Sequence, residues 1–353
     1  MPSYLRSVPS VVTVHNAGMG YHQDIADLEF AAAVCGVPLE VVNGCILNNS
    51  FDPLLAGSLF GNIVNTVSEN YARELQQTGQ DWMTGWFGHS LTRHGIKLYG
   101  VTNGIDTRDI DPKGINAGFS PAKGEFTGKE KSKRATLEMF SGRELPDITT
   151  LHGTISYKKN MPLLTFIGRM DQQKGYDVLT EAIELLFSKD PNVQLLGLGS
   201  GDPRIEQRFR QLAAKFNGRI CVAIGYSPQL ADRIYAAGDF FLIPSHFEPC
   251  GLTDFYAQLM GNIPVVHRVG GLVKTLDSEY GFSYLGGAGE LCGAIERAID
   301  VYRKPGKTAL WKIRKNAALN IFSHFTWDKV LKEKYLPLYQ KAIERARPAL
   351  PYL

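Results

Sequence analysis

An α/β protein built on doubly wound, parallel sheets is what this sequence predicts, and three observations carry that reading. Through the second half, short apolar runs alternate with stretches of helical period. The runs are apolar on both faces, and the glycines, 36 among 353 residues, fall mainly in the turns between them. Strands apolar on both faces must be covered on both sides, and parallel strands need crossover connections, so the pattern calls for helices on each face of a parallel sheet.

The elements follow in order. In the first half Val11–Val14 reads as a strand, as do 63–67 and 96–101, with helical stretches near 27–34 and 70–77. From 112 to 163 the chain turns polar and less periodic. Its charge run GKEKSKR at 128–134 is expected to be a solvated loop or helix start rather than a polyanion contact. The second half opens with a strand at 163–167 and a helix at 177–187 whose Val178, Leu179, Ala182, Ile183 and Leu186 share one face. A strand at 193–196 precedes a helix that Asp202 can cap, with Pro203 suited to its first position. The unit repeats with a strand at 220–224, a helix opened by Ser227 and Pro228 and closed at Gly238, and the strand Phe240–Ile243. A helix at 252–260 then stops at Gly261 before a strand at 264–267. The stretch 327–343 presents one apolar face, with Pro337 as an expected kink. Two domains are therefore expected, 1–157 and 158–353.

Composition narrows the function classes. The 38 basic and 35 acidic residues leave a charge of +3, too small and too spread for a nucleic-acid footprint. No apolar run approaches the roughly 20 residues of a membrane helix, and the opening lacks a secretory pattern, so a cytoplasmic protein is expected. Five scattered cysteines without CxxC spacing suggest neither disulfides nor zinc, and no metal or cofactor is called for.

The residues that can carry chemistry cluster after strands. IPSHFEPCGLTDFYAQLMGNIPVV places Glu248 and Gly251 in a loop after one strand and opens a helix immediately beyond, and ligands of open α/β sheets collect at such carboxyl ends. By itself that loop reads more readily as a plain connection with a capping or surface carboxylate. FIGRMDQQKGYDVL sets Arg169 and Lys174 after another strand, a guanidinium and an ammonium able to clamp a diphosphate without a metal. In VGGLVKTL, Gly270 and Gly271 let backbone approach a ligand closely. Two further patterns are read as structural: Gly197, Gly199 and Gly201 as a tight turn capped by Asp202, and Asp109 with Asp111 as a solvated turn rather than a metal site. His246 and His267 have no metal-ligand spacing and are read as structural too.

GRMDQQKGYDVL, LGLGSGDP, IPSHFEPCGLT and VGGLVKTL, in this order and spacing, resemble the glycogen and bacterial starch synthase family of retaining glycosyltransferases. TVHNAG, NTVSENYARELQ and GVTNGID resemble its N-terminal motifs, so the likeness covers nearly the whole chain. The resemblance implies the type B glycosyltransferase architecture: two Rossmann-like domains facing across a cleft, the final helix packing back on the first. It implies transfer of glucose from ADP-glucose, or UDP-glucose, to the non-reducing end of a glycogen-like α-1,4-glucan, with retention. Arg169 and Lys174 match the pair that neutralises the donor diphosphate, and Glu248 the acidic residue near the transferred glucose. Gly251, Leu252 and Thr253, preceded by Cys250 in the same loop, sit where family amides meet donor phosphate and ribose. His15 matches the catalytic-site histidine of the VHN motif, a residue that spacing alone reads equally as structural. Asn103 matches the asparagine of NGID.

The sequence also departs from that family. A KxGGL loop normally precedes VHN, whereas this chain starts just upstream of VHN, so the resemblance implies an incomplete N-terminal sheet that either is completed by a separate chain or leaves the protein compromised. A non-catalytic relic or binding subunit that keeps nucleotide or glycan binding stays open as the second reading. Asp254 stands where many members carry glutamine, and Lys274 where an acidic residue is more usual; both are expected to be subfamily variation. Tyr256 replaces the second glutamate of related transferases and favours the glucan synthase branch.

Overall fold

The computed structural model describes residues 8–109, 118–142, 145 and 149–346. Asp111 therefore lies outside the described residues. The chain forms two compact units, one of Met1–Gly104 with Trp327–Leu353 and one of Ile105–Thr326. The division thus falls at Gly104/Ile105, where the sequence reading set a boundary at 157/158.

The reason lies in 105–157, the stretch that looked polar and irregular. Lys129–Gly142 is a helix packed on the helix Pro228–Ala237, and Thr149–Gly153 pairs antiparallel with the strand Ile220–Gly225. The charge run opens this helix, as the sequence allows, but only one of its faces is solvated. Lys129 and Lys133, one helical turn apart, point inward while Lys131 and Arg134 stay exposed. Lys133 Nζ sits 2.7 Å from Asp239 Oδ2, and Arg314 holds the other carboxylate oxygen at 2.9 Å. Lys129 donates to the Met260 and Tyr235 carbonyls. Burial pushes the Asp239 carboxyl up, but Lys133 and Arg314 overcome that and hold it at about 2. Burial, with Arg314 acting in the same direction, lowers the Lys129 ammonium well below its ordinary value.

In the larger unit, seven strands run in the spatial order Phe282–Tyr284, Ile263–His267, Phe240–Ile243, Leu163–Met170, Gln194–Gly201, Ile220–Gly225, Thr149–Gly153. All neighbours but the last pair are parallel. Successive residues of Leu163–Met170 serve opposite cores: Leu164 and Phe166 pack with Leu179, Ile183 and Phe209, whereas Leu163 packs with Leu198 and Ile234. That two-sided burial is why the strand reads as a continuous apolar run. Chain order reverses between Leu163–Met170 and Phe240–Ile243. Side chains after these two strands therefore meet at a topological switch point, where open sheets bind ligands.

Gly197, Gly199 and Gly201 do not form the expected turn. They lie within the strand Gln194–Gly201, and a Cβ on Gly197 would overlap the Phe166 ring. Asp202 does cap the next helix, accepting from Arg204 N.

In the smaller unit Val11–Val14, Ile63–Thr66 and Leu98–Gly100 form a three-stranded parallel sheet. Val330, Tyr335, Leu338 and Ala342 of the C-terminal stretch pack on Ile63 and Val101 of this unit. A π-helical turn at Leu331–Tyr335 immediately precedes the helix Leu336–Arg345, in whose first turn Pro337 lies, so the break falls where the proline removes a backbone donor.

Candidate active site

At the switch point, Arg169 is the penultimate residue of one strand and Pro244–Glu248 follow its neighbour. Asp171 organises the first loop: its carboxylate accepts from Lys174 N at 2.8 Å and pairs with the Arg169 guanidinium. The turn then closes at Gly175 (φ +69°), where a Cβ would overlap the Pro244 carbonyl oxygen, so only glycine lets the two loops meet. The His246 N–H donates to the Gln173 carbonyl and ties them again.

The Lys174 ammonium lies 2.7 Å from Glu248 Oε2, which also accepts from Ser245 Oγ at 3.1 Å. Glu248 is largely covered, its side chain 12% exposed, whereas that of Arg169 is 58% exposed. The Glu248 carbonyl accepts from Gly271 N at 2.9 Å, joining the third loop to the second. Among the described residues the N–H groups of Gly251 and Leu252 meet no acceptor, and together they leave two adjacent donors free. Cys250 is buried and packs in the same loop; Gly270 (φ +49°) lies so close to the Glu248 carbonyl that a Cβ would overlap it.

A cleft of about 700 Å³ opens beside these groups, lined by Arg169, Gly199, Tyr226, Asp232, Thr253 and Tyr256 among others. A second, smaller cavity shares Ile167, Gly168 and Thr253 with it and is lined by Lys174, Ser245 and Glu248. The first is walled by aromatic rings and the second by charged groups, and ligand sites are commonly of this character. Asp171, Ser245, Tyr226 and Asp232 escaped the sequence reading. The first had a legible signal, an aspartate three residues before the lysine whose amide it caps; Tyr226, 76% exposed directly after a strand, had a weaker one.

Sequence reading treated Asp254 and Lys274 as separate variations. They form one contact: Lys274 Nζ lies 3.1 Å from Asp254 Oδ2, beneath the Cys250–Gly251 loop. His267 Nδ1 donates to the Ser245 carbonyl, and the ring stacks on Tyr284, while His246 stands 3.6 Å from Asp177.

His15 and Asn103 belong to the smaller unit. His15 is exposed at the end of the strand Val11–Val14, and the Asn103 Oδ1 is buried with no hydrogen-bond partner among the described residues. The turn after His15 is clamped at Ala17, whose N–H donates to Tyr71 Oη and whose carbonyl accepts from His22 Nε2. His22 Nδ1 meets Asp52 at 2.5 Å. Both partners of His22 only accept, so both ring nitrogens carry protons. Burial lowers the His22 pKa, but the hydrogen bonds to Asp52 and the Ala17 carbonyl, with the charges of Asp52 and Asp24, together outweigh it and leave the pKa raised. A raised folded-state pKa gives stability that is complete below the unfolded value near 6.5 and is lost as pH rises through the folded one. The unfolding-temperature gap between the unaltered chain and His22→Asn is therefore expected to be widest near pH 6 and to shrink toward pH 9.

Residues 2–93 match the starch synthase catalytic domain model and residues 161–300 that of glycosyl transferases group 1. A glycogen synthase of Petrotoga mobilis is 32% identical over 350 residues, covering 97% of this chain and 67% of the relative. The chain belongs to the glycogen synthase family. A second glycogen synthase, of Cellvibrio japonicus, is 37% identical across 78% of this chain and 55% of its own length. The solved catalytic domain of starch synthase IV from Arabidopsis thaliana, bound to ADP and acarbose, superposes with a TM-score of 0.79 at 27% identity, over 97% of this chain and 69% of that one. Members of the glycogen synthase family are glycosyltransferases of the type B fold, and the chain spans about two thirds of the length of several of its relatives. Among the described residues no helix is long and apolar enough to cross a membrane.

Proposed function

We propose that this chain binds ADP-glucose in the cleft of its larger unit and transfers the glucose, with retention, to the non-reducing end of an α-1,4-glucan in the cytoplasm. The observation that carries this is the meeting, at one switch point, of Arg169, Lys174, Glu248 and the free amides of Gly251 and Leu252. Cleavage of a sugar–diphosphate bond separates positive charge at the anomeric carbon from negative charge on the leaving group, and a site accelerates it by preorganised charge of both signs. Arg169, Lys174 and the amides would take the diphosphate, with Thr253 and Gly270–Gly271 forming the walls beside it. Glu248, held through Lys174 and Ser245, would face the sugar. Its carboxylate is already aligned by two donors, so no reorganisation is needed as charge develops. For His15 and Asn103, in the smaller unit, a role toward the sugar rests on the likeness of VHN and NGID to the family motifs alone.

The nucleoside would occupy the larger cavity against Tyr226 and Tyr256, whose rings offer stacking surface. The carboxylate of Asp232, also on that wall, accepts but does not donate, which suits the amino group of adenine better than the carbonyls of uracil. Calorimetric titration tests the donor: ADP is expected to bind about tenfold or more tightly than UDP, and Lys174→Ala to weaken ADP by about 10- to 100-fold, the worth of a charge-assisted hydrogen bond. Equal binding of the two nucleotides would exclude ADP-glucose as the preferred donor.

A further inference from the structure

We infer that Lys274 is a positioning residue that aims the free amides of the Cys250–Leu252 loop at the donor diphosphate; this rests on the proposed reading of that loop. Lys274 Nζ donates to the Cys250 carbonyl at 2.7 Å, the Gly251 carbonyl at 2.6 Å and the Gly271 carbonyl at 3.0 Å. An ammonium has three hydrogens, and all three are committed. With Asp254 Oδ2 3.1 Å away, the Phe255 ring 4.5 Å from Nζ and the side chain only 10% exposed, Lys274 has no donor left for a ligand. Its work is on the backbone.

The geometry says what that work is. A trans peptide points its C=O and N–H in opposite directions. Drawing the carbonyls of Cys250 and Gly251 onto one cation therefore turns the N–H groups of Gly251 and Leu252 away from it, and these are the two amides that meet no acceptor among the described residues. The third carbonyl, that of Gly271, belongs to the loop whose own N–H holds the Glu248 carbonyl. One side chain thus fixes two loops in register, with Gly251 in the left-handed region (φ +71°) and its α-carbon facing Leu272 and Lys274. Asp254 is the anchor: it is buried, accepts from Thr275 Oγ1 at 3.0 Å and sits beside the cation. Burial pushes its carboxyl up while Lys274 opposes the shift.

A lysine that merely neutralised Asp254 would leave the same contacts, so the test separates the two roles. Three proteins are compared, the unaltered chain, Lys274→Met and the double variant Asp254→Asn with Lys274→Met, by thermal unfolding and by titration with ADP and with adenosine, which lacks the phosphates. Lys274→Met is expected to unfold at lower temperature, because Asp254 is left buried without its cation, and to bind ADP about tenfold or more weakly, with adenosine within about twofold. The double variant removes the stranded charge and is expected to recover the unfolding temperature but not the ADP affinity. Lys274→Arg, which keeps the charge and donors, is expected to recover part of both.

Recovery of ADP affinity together with stability in the double variant would overturn the positioning role, as would equal losses for ADP and adenosine. Failure of the underlying reading looks different: the unaltered chain would then bind no ADP at all, and the role assigned to Lys274 would fall with it.

Discussion

Glu248→Ala is expected to lower glucosyl transfer by about 10²- to 10³-fold, the usual loss when a preorganised electrostatic group is removed from a reacting centre. ADP affinity should stay within about threefold, because Glu248 holds Lys174 in the free protein but is not itself a phosphate ligand. The same change frees Lys174 from its 2.7 Å partner, so any shift in nucleotide binding should be toward tighter rather than weaker. Steady-state rates at saturating donor, set beside a calorimetric ADP titration, separate the two effects. A parallel fall in both would mean that the substitution had collapsed the loop rather than removed a charge.

Lys133→Met is expected to destabilise the larger unit by about 3–5 kcal/mol, the range for breaking a buried ion pair by removing one partner. Asp239 would keep Arg314 at 2.9 Å but lose Lys133, and it also caps the Leu163 amide at 3.0 Å, so the loss falls on the first parallel strand of the sheet. Denaturant unfolding measures it. The pH dependence has a definite sign. Asp239 is held at about 2, below its unfolded value, so the pair contributes above about pH 4 and is lost as pH falls toward 2. Lys133→Met should therefore unfold at pH 7 much more readily than the unaltered chain, and the gap should narrow in acid.

These two predictions draw on parts of the molecule that were unequally legible. The strands Val11–Val14 and Phe240–Ile243 are read from sequence with their observed bounds, because an apolar run between turn residues has few other fates. Arg169, Lys174 and Glu248 are legible as candidate site residues because each lies at or beyond the carboxyl end of a strand, and parallel topology sends those ends to one edge. The buried face of the helix Lys129–Gly142 was hidden for the opposite reason. Lysines at its inward positions look like a solvated face, and partners distant in sequence, among them Asp239 and the Met260 and Tyr235 carbonyls, satisfy them once buried. The edge strand Thr149–Gly153 carries Thr149, Thr150 and His152, too polar to announce itself, and takes its place by antiparallel pairing with Ile220–Gly225. Asp254 and Lys274 show the same limit at the site: twenty residues separate them in sequence, and nothing in either segment says that they touch.

One edge of the larger unit's sheet is proposed to work on a sugar nucleotide. Incorporation of labelled glucose from ADP-glucose into glycogen by the purified chain tests it most directly. Incorporation that depends on added glycogen, exceeds that from UDP-glucose and disappears in Glu248→Ala is the expected result. A folded chain that binds ADP yet transfers no glucose to any α-glucan would contradict it and leave a nucleotide-binding protein without turnover.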